Sequence, residues 1–104
     1  MTTQLTTETF AKAIQDGVSL IDFGAQWCPP CRMMEPVVEE LSKDFDGKAT
    51  IAQVDVDQSQ DLANLFGIRS IPTMVIFKDG KPVAALVGVH PKQTLMEKIQ
   101  AQLS

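Results

Sequence analysis

The chain contains few of the residues from which disulfide scaffolds and metal centres are built. Its 104 residues include two cysteines and one histidine, and tyrosine is absent. Two neighbouring cysteines are too few for the crosslinked framework of a small secreted protein. Structural zinc usually takes four protein ligands, which one cysteine pair and His90 do not supply. A zinc site shared by two chains, and a purely structural disulfide, are the alternatives that composition leaves open.

Long apolar runs and an excess of positive charge are also missing. No run approaches the roughly 20 apolar residues that span a bilayer, and no charged-then-apolar leader opens the chain. The net charge of −4 argues against binding to nucleic acid or to an anionic membrane surface. With 44% hydrophobic and 21% charged residues, the composition is that of an ordinary globular protein. We therefore expect a single domain, residues 1–104, that works as a monomer in the cytoplasm.

Hydrophobic periodicity predicts strands that alternate with helices, in the order β-α-β-α-β-α-β-β-α. Strands are expected at residues 2–5, Val18–Ala25, Thr50–Val56, Thr73–Phe77 and Val83–Val89, and helices are expected to begin near Thr6 or Thr7, at Pro30, near Asp57 or Ser59, and at Pro91. The Asp79-Gly80 pair between two apolar runs predicts a hairpin turn. This order predicts a three-layer α/β/α sandwich around a mixed sheet of about five strands, with four helices.

Both cysteines lie in the segment Trp27–Arg32, where the second predicted strand gives way to a helix. Residues three apart on a helical turn have Cβ atoms roughly 5–6 Å apart, and a disulfide needs about 3.5–4.5 Å. Cys28 and Cys31 can therefore bond, and the reduced pair also fits with little movement. A loop this short constrains the unfolded chain by only about 2 kcal/mol, against about 4.7 kcal/mol for a 100-residue loop. The spacing therefore favours a redox switch over a structural crosslink.

The position at a helix N-terminus supplies the reactivity of this pair. Unpaired amides and the positive end of the helix dipole favour a thiolate there and lower its pKa. We expect Cys28, at the exposed entrance, to be the attacking nucleophile. Cys31 is expected to be more buried and to resolve the mixed disulfide by attacking Cys28.

The chain resembles the thioredoxin family essentially from end to end. The matching segments are Asp22-Phe23, Ala25–Cys31, Met33 and Pro36, Val54–Asp57, Gly67–Thr73, Phe77–Gly80 and Val87-Gly88. The resemblance implies a thioredoxin fold and an enzyme that reduces protein disulfides by dithiol–disulfide exchange. It implies no bound cofactor, and reducing equivalents from an NADPH-dependent flavoprotein of the thioredoxin-reductase type. There are two alternatives to a disulfide reductase. The chain could be an oxidising or isomerising member of the family, or a partner-binding module in which the dithiol is dispensable.

The resemblance also implies the surface that a substrate contacts. The Ile71-Pro72 peptide is expected to be cis and to pack beside the dithiol. Trp27, Ile71 and Gly88 are expected to form an apolar, open rim for an extended substrate chain. The expected substrate-binding residues are Trp27, Pro29, Pro30, Ile71, Pro72 and Gly88.

Asp22 is the third expected catalytic residue. A carboxylate inside an apolar strand is desolvated, which raises its pKa and lets it exchange protons near neutrality. In the family this position is a buried acid beneath the disulfide that assists deprotonation of the resolving cysteine. The alternative for Asp22 is a hydrogen-bonded core aspartate without a catalytic role.

The Cys-Pro-Pro-Cys sequence departs from the Cys-Gly-Pro-Cys that is usual in the family. Since a residue before proline is disfavoured in helical geometry, we expect Pro29 at the N-cap and Pro30 at N1. The amides of Cys31 and Arg32 then remain available to a Cys28 thiolate, and the amide at position 29 is lost. The loss of a donor favours a more reducing couple, whereas rigidity and the nearby Arg32 charge can act in the opposite sense. We expect a shifted reduction potential, with the direction left open.

Two further departures lie behind the dithiol. Gly24 stands where the family typically has a second tryptophan, which predicts lighter packing behind the site. Gln53 stands where many members have a lysine near the buried acid. Without that cation, desolvation is expected to dominate the pKa of Asp22 more completely.

Overall fold

A computed structural model describes residues 2–104. The elements are β1 (Thr3–Leu5), α1 (Thr7–Ile14), β2 (Val18–Gly24), α2 (Pro29–Asp44), β3 (Thr50–Asp55), α3 (Gln60–Leu65), β4 (Thr73–Lys78), β5 (Lys81–Val87) and α4 (Lys92–Leu103). The predicted order of strands and helices is thus confirmed. No helix within the described range is long and apolar enough to cross a membrane.

The five strands form one mixed sheet in the order β1-β3-β2-β4-β5. β1, β3 and β2 are parallel, β4 runs antiparallel to β2, and β5 runs antiparallel to β4 through the hairpin. Two hydrophobic clusters cover the two faces, one with α2 and α4 and the other with α1 and α3. The predicted α/β/α sandwich is therefore confirmed.

β2 lies at the centre of the sheet, and its first six residues are buried. Alternate side chains point to opposite faces. Leu20 packs in the cluster with α2 and α4, whereas Phe23 packs with Phe10 of α1 at a ring distance of 6.3 Å. Each such side chain contributes about 1.5–3 kcal/mol through burial. This packing fixes β2, and with it the segment that leads into α2.

The predicted bounds of the last strand are wrong by two residues at each end. Asp79 and Gly80 both have positive φ, 51° and 85°, which suits a two-residue hairpin turn whose twist matches the strands. Pairing therefore starts at Lys81, directly after the turn. At the other end Gly88 leaves the ladder with φ 89°, and its amide donates to the Pro72 carbonyl oxygen at 2.8 Å.

Candidate active site

The cysteine pair forms a disulfide at the start of α2, with the two Cα atoms 5.2 Å apart. Cys28 is the N-cap residue and has extended backbone geometry, φ −93° and ψ 110°. The Cys31 amide donates to the Cys28 Sγ at 3.3 Å. A sulfur thus takes the place of the side-chain oxygen that usually caps a helix.

The cap position places the two prolines one residue later in the helix than predicted. Pro29 is at N1 and Pro30 at N2, so the expected placement of Pro29 at the N-cap is wrong. The reason is that the Cys28 sulfur accepts the capping bond, and N1 and N2 amides have no intrahelical partner that a proline would lose. The expectation that the Cys31 amide is available to the Cys28 sulfur is confirmed. The Arg32 amide instead donates to the Cys28 carbonyl oxygen at 3.1 Å.

The expected difference in exposure between the cysteines is not found. Cys28 is 3% exposed and Cys31 is 5% exposed, so both are buried. They form a small cluster with Ala25, against which Val56 and Ile71 pack. The Cys28 Sγ lies 3.9 Å from the Ile71 carbonyl oxygen. Position at the helix cap, and not exposure, therefore distinguishes the two sulfurs.

The loop before β4 lies beside this disulfide. The Ile71-Pro72 peptide is cis, as the resemblance implied. Pro72 is buried and Ile71 is half-buried. Because Gly88 donates to the Pro72 carbonyl oxygen, the end of β5 lies against the same loop. The structure thus brings Cys28, Ile71, Pro72 and Gly88 together.

Trp27 and the two prolines lie on the exterior of the site. The Trp27 side chain is 67% exposed, and its indole N–H donates to Asp57 Oδ2 at 2.7 Å. Asp57 follows directly after Val56, which packs on the cysteine cluster. Pro29 and Pro30 are exposed. A large ring is therefore held at the surface next to the disulfide by a polar contact.

Asp22 is buried in the middle of β2, with 3% exposure. Gln53 Nε2 donates to its Oδ2 at 3.2 Å, and its Oδ1 has no hydrogen-bond partner within residues 2–104. The pKa of Asp22 is raised to about 6. Burial is the largest cause, the hydrogen bond from Gln53 lowers the pKa, and the Glu35 carboxylate raises it. The predicted dominance of desolvation is confirmed. From the sequence, Gln53 is notable only because it replaces a lysine of the family, and its hydrogen bond to Asp22 was not predicted.

A cavity of about 370 Å³ lies between the sheet and the start of α2 and reaches both Asp22 and Cys31. A Cβ placed on Gly24 would lie 3.2 Å from Cys31 Sγ and 3.8 Å from Asp22 Oδ1. The two atoms therefore border the same space, which the glycine leaves free. Because Cys31 already lies close to this position, the lighter packing expected at Gly24 stays a prediction. A polar cavity of this size has room for water that can bridge the two groups.

Metal chemistry has no visible ligand set in the described part of the chain. Within residues 2–104 no group of three or more His, Cys, Asp and Glu side chains could hold an ion. The His90 Nε2 lies 2.9 Å from the Val87 carbonyl oxygen, and within residues 2–104 His90 has no hydrogen bond to either cysteine. The site that the structure presents is thus one disulfide with a buried carboxyl behind it.

The family model described as thioredoxin matches residues 1–101. The chain belongs to the thioredoxin family. It is 49% identical to thioredoxin from Staphylococcus saprophyticus and 48% identical to thioredoxin from Staphylococcus haemolyticus, over 100 residues and 96% of each chain in both cases. Among solved structures it resembles a mutant thioredoxin from Halobacterium salinarum NRC-1. That match has a TM-score of 0.91 and 36% identity, and it covers 98% of this chain and 90% of the other.

Membership in the thioredoxin family identifies the type of chemistry. The chain is a thiol–disulfide oxidoreductase that reduces protein disulfides through its cysteine pair. The family needs no bound cofactor for this reaction, and it works with disulfide substrates and a reductase partner.

Proposed function

We propose that Cys28 attacks the substrate disulfide and that Cys31 resolves the mixed disulfide. The observation that carries this proposal is the 3.3 Å contact from the Cys31 amide to the Cys28 Sγ at the N-cap of α2. An amide donor and the helix dipole both favour negative charge on that sulfur, which lowers the pKa of the reduced Cys28 thiol. Cys31, one turn further into the helix, has no such donor in the hydrogen-bond network of residues 2–104.

The exchange has two steps, each of which forms and breaks one S–S bond. The Cys28 thiolate attacks one substrate sulfur, and the other substrate sulfur leaves as a thiolate. Cys31 then gives up its proton and attacks the Cys28 sulfur, which releases the first substrate sulfur as a second thiolate. Two electrons have passed to the substrate, and Cys28 and Cys31 are left as a disulfide.

We assign the proton of Cys31 to Asp22. Its Oδ1 borders the same space as the Cys31 Sγ, and burial raises the pKa of this carboxyl to about 6. A group with that pKa is a usable proton acceptor near neutral pH. Because the cavity separates the two groups, the transfer runs through water in the cavity. Asp22 returns the proton to solvent, or to a departing substrate thiolate, by the same route.

The substrate is an extended segment of a protein that carries an accessible disulfide. Trp27 supplies exposed apolar area beside the cysteines, and Pro29 and Pro30 extend that surface. The Ile71 carbonyl oxygen lies 3.9 Å from the Cys28 sulfur, and Gly88 is joined to the same loop through its hydrogen bond to Pro72. Gly88 has no side chain, so a substrate backbone can approach closely at that point.

We further propose that residues 1–104 act as one domain and as a monomer in the cytoplasm. The electrons come from an NADPH-dependent flavoprotein reductase. These proposals rest on the family and on the absence of a nucleotide-binding glycine loop in the sequence.

The test is reduction of insulin disulfides in the presence of NADPH and a purified bacterial thioredoxin reductase. We expect wild type to consume NADPH and Cys28→Ser to fall at least 100-fold, to the uncatalysed rate. Met33→Leu, an exposed change on the same helix, is the control and keeps wild-type activity. Activity retained by Cys28→Ser would overturn the assignment of the nucleophile. Failure of wild type with every reductase, together with rapid oxidation of dithiols, would favour the oxidising alternative.

A further inference from the structure

Three polar side chains form a row across β1, β3 and β2. Gln4 pairs with Gln53 in the parallel ladder of β1 and β3, and Asp22 pairs with the same Gln53 in the ladder of β2 and β3. Residues opposite each other on neighbouring strands project from the same face. Gln4 Nε2 donates to Gln53 Oε1 at 2.7 Å, and Gln53 Nε2 donates to Asp22 Oδ2 at 3.2 Å. The row leads from an exposed residue to the buried carboxyl.

The order of donors and acceptors in this row has a consequence for Asp22. A glutamine amide has one carbonyl end, which accepts, and one NH2 end, which donates. Because Gln4 donates to the carbonyl end of Gln53, the NH2 end of Gln53 is directed at Asp22. A donor on a carboxylate favours its charged form, whereas a carbonyl oxygen in the same place would favour the protonated form. The contact with Gln4 therefore stabilises the orientation in which Gln53 supports the charged form of Asp22.

The other groups around Asp22 give the carboxylate no positive partner. α2 contributes Cys31 and the Glu35 carboxylate to the cavity, and β3 contributes Asp55 at its end. β4 places the uncharged Met74 opposite Asp22 in the ladder. No lysine or arginine is among the described residues that line the cavity. The N–H of Gln53 is thus the polar contact that offsets desolvation of the charged form.

We propose that Gln53 and Gln4 are positioning residues, with Gln53 setting the proton affinity of Asp22 and Gln4 holding the Gln53 amide in the required orientation. This inference deepens the proposed function, because it rests on Asp22 as the proton acceptor of Cys31. Neither glutamine contacts a sulfur in the hydrogen-bond network of the described residues. Both act through the carboxyl, and Gln4 does so from the surface of the protein, one strand beyond Gln53 in the row.

The experiment is a carbon-detected titration of the Asp22 carboxyl in the oxidised protein, with no substrate or reductase present. Gln53→Met removes the donor and is expected to raise the Asp22 pKa by about one unit, because the charged carboxylate loses its hydrogen-bond donor. Gln4→Met leaves the Gln53 amide free to turn and is expected to raise the pKa by a smaller amount. Gln4→Glu can only accept, which turns the carbonyl end of Gln53 toward Asp22, and is expected to raise it more than Gln4→Met.

Two controls separate positioning from general effects. Gln58 is exposed and lines the same cavity, but its side chain makes no hydrogen bond with Gln53 or Asp22. Gln58→Met is expected to leave the Asp22 pKa unchanged, and Gln58→Glu to raise it less than Gln4→Glu does. A purely structural role for the row would lower the stability of the Gln4 variants and leave the carboxyl titration where it is in wild type.

An unchanged Asp22 pKa in Gln4→Met would overturn the role of Gln4, and an unchanged value in Gln53→Met would overturn the inference as a whole. The low-pH limb of insulin reduction is measured on the same variants. If the titration moves and the pH profile of reduction does not, the positioning of Asp22 stands and its proposed role as the proton acceptor fails. The two proposals are thus separable.

Discussion

The amide of Cys31 donates to the sulfur of Cys28 at 3.3 Å, so the residue proposed to resolve the mixed disulfide also stabilises negative charge on the residue proposed to attack. Both sulfurs are buried to nearly the same extent, and the asymmetry between them comes from this contact and from the helix cap. The two prolines between them have no N–H, so the Cys31 amide is the first donor that the helix offers. This hydrogen bond and the helix cap are therefore the features that distinguish Cys28 from Cys31.

Replacing Pro29 by glycine is expected to make the couple more oxidising. The variant gains an amide at N1 beside the Cys28 thiolate, and this added donor stabilises the reduced form relative to the disulfide. We expect it to outweigh the opposing effect of the less rigid loop. We expect a shift on the order of 10–30 mV, where about 30 mV corresponds to a tenfold change in the equilibrium constant. The measurement is the equilibrium of each protein with glutathione.

The control for this change is Pro82→Gly, which loosens an exposed proline on β5. It is expected to leave the glutathione equilibrium as in wild type. A potential for Pro29→Gly that equals that of wild type, or lies below it, would show that the proline does not tune the couple in the proposed way.

Asp22→Asn is expected to stabilise the oxidised protein at neutral pH. The folded pKa of about 6 is higher than the ordinary value of 3.8, so the folded state holds the proton more tightly than the unfolded chain does. Stability of wild type therefore falls as pH rises from about 4 to about 6, and the loss is complete above that range. The variant carries no charge and escapes this loss, which amounts to about 2–3 kcal/mol.

Urea unfolding at a series of pH values checks the Asp22→Asn prediction. The two proteins should have similar stability near pH 3 and differ increasingly up to about pH 7. Asp46→Asn, at an exposed position, serves as the control for removal of one negative charge and should remain within about 0.5 kcal/mol of wild type. A stability difference between Asp22→Asn and wild type that does not change with pH would contradict the buried-charge explanation.

Gly24→Ala is expected to slow the second step of the exchange. Its Cβ would lie 3.2 Å from the Cys31 Sγ, in the space through which the proton is passed to Asp22. Rapid-mixing kinetics should show an unchanged rate of mixed-disulfide formation and a several-fold slower release of the reduced substrate. Gly17→Ala introduces strain at φ 73° with nothing within 4 Å, so it tests the effect of lost stability alone. Equal slowing of both steps in Gly24→Ala would argue against a role for the cavity.

Asp57→Ala is expected to weaken substrate binding through Trp27. The Asp57 carboxylate holds the indole N–H at 2.7 Å, and without it the exposed ring samples more orientations. We expect KM for a protein disulfide to rise about two- to twelvefold with kcat unchanged, because ordering a side chain on binding costs about 0.5–1.5 kcal/mol. Trp27 is the sole tryptophan, so its fluorescence anisotropy reports the same change directly. A variant with wild-type anisotropy and a raised KM would exclude this explanation.

Local patterns in the sequence were sufficient for much of the fold. The apolar run of β2 and the Asp79-Gly80 turn each depend on neighbouring residues alone, and each is found where it was predicted. The raised pKa of Asp22 was also predictable, because a charge inside an otherwise apolar strand is desolvated in any packed sheet.

Features that depend on tertiary contacts were not predictable in the same way. The helix cap at Cys28 was missed because cap preferences are known for oxygen acceptors and the acceptor here is a sulfur. The burial of Cys28 arises from Ile71, which is distant in sequence. The row of Gln4, Gln53 and Asp22 exists because β3 lies between β1 and β2. That strand order cannot be predicted from the residues of any one strand.

The identity of the trapped intermediate tests the central claim most directly. Cys31→Ser is incubated with a disulfide-bonded protein substrate, and the complex is analysed by peptide mass spectrometry. The account predicts a stable mixed disulfide through Cys28 in this variant, and no comparable complex through Cys31 in Cys28→Ser. A complex of equal yield through Cys31 would contradict the assignment of Cys28 as the attacking sulfur.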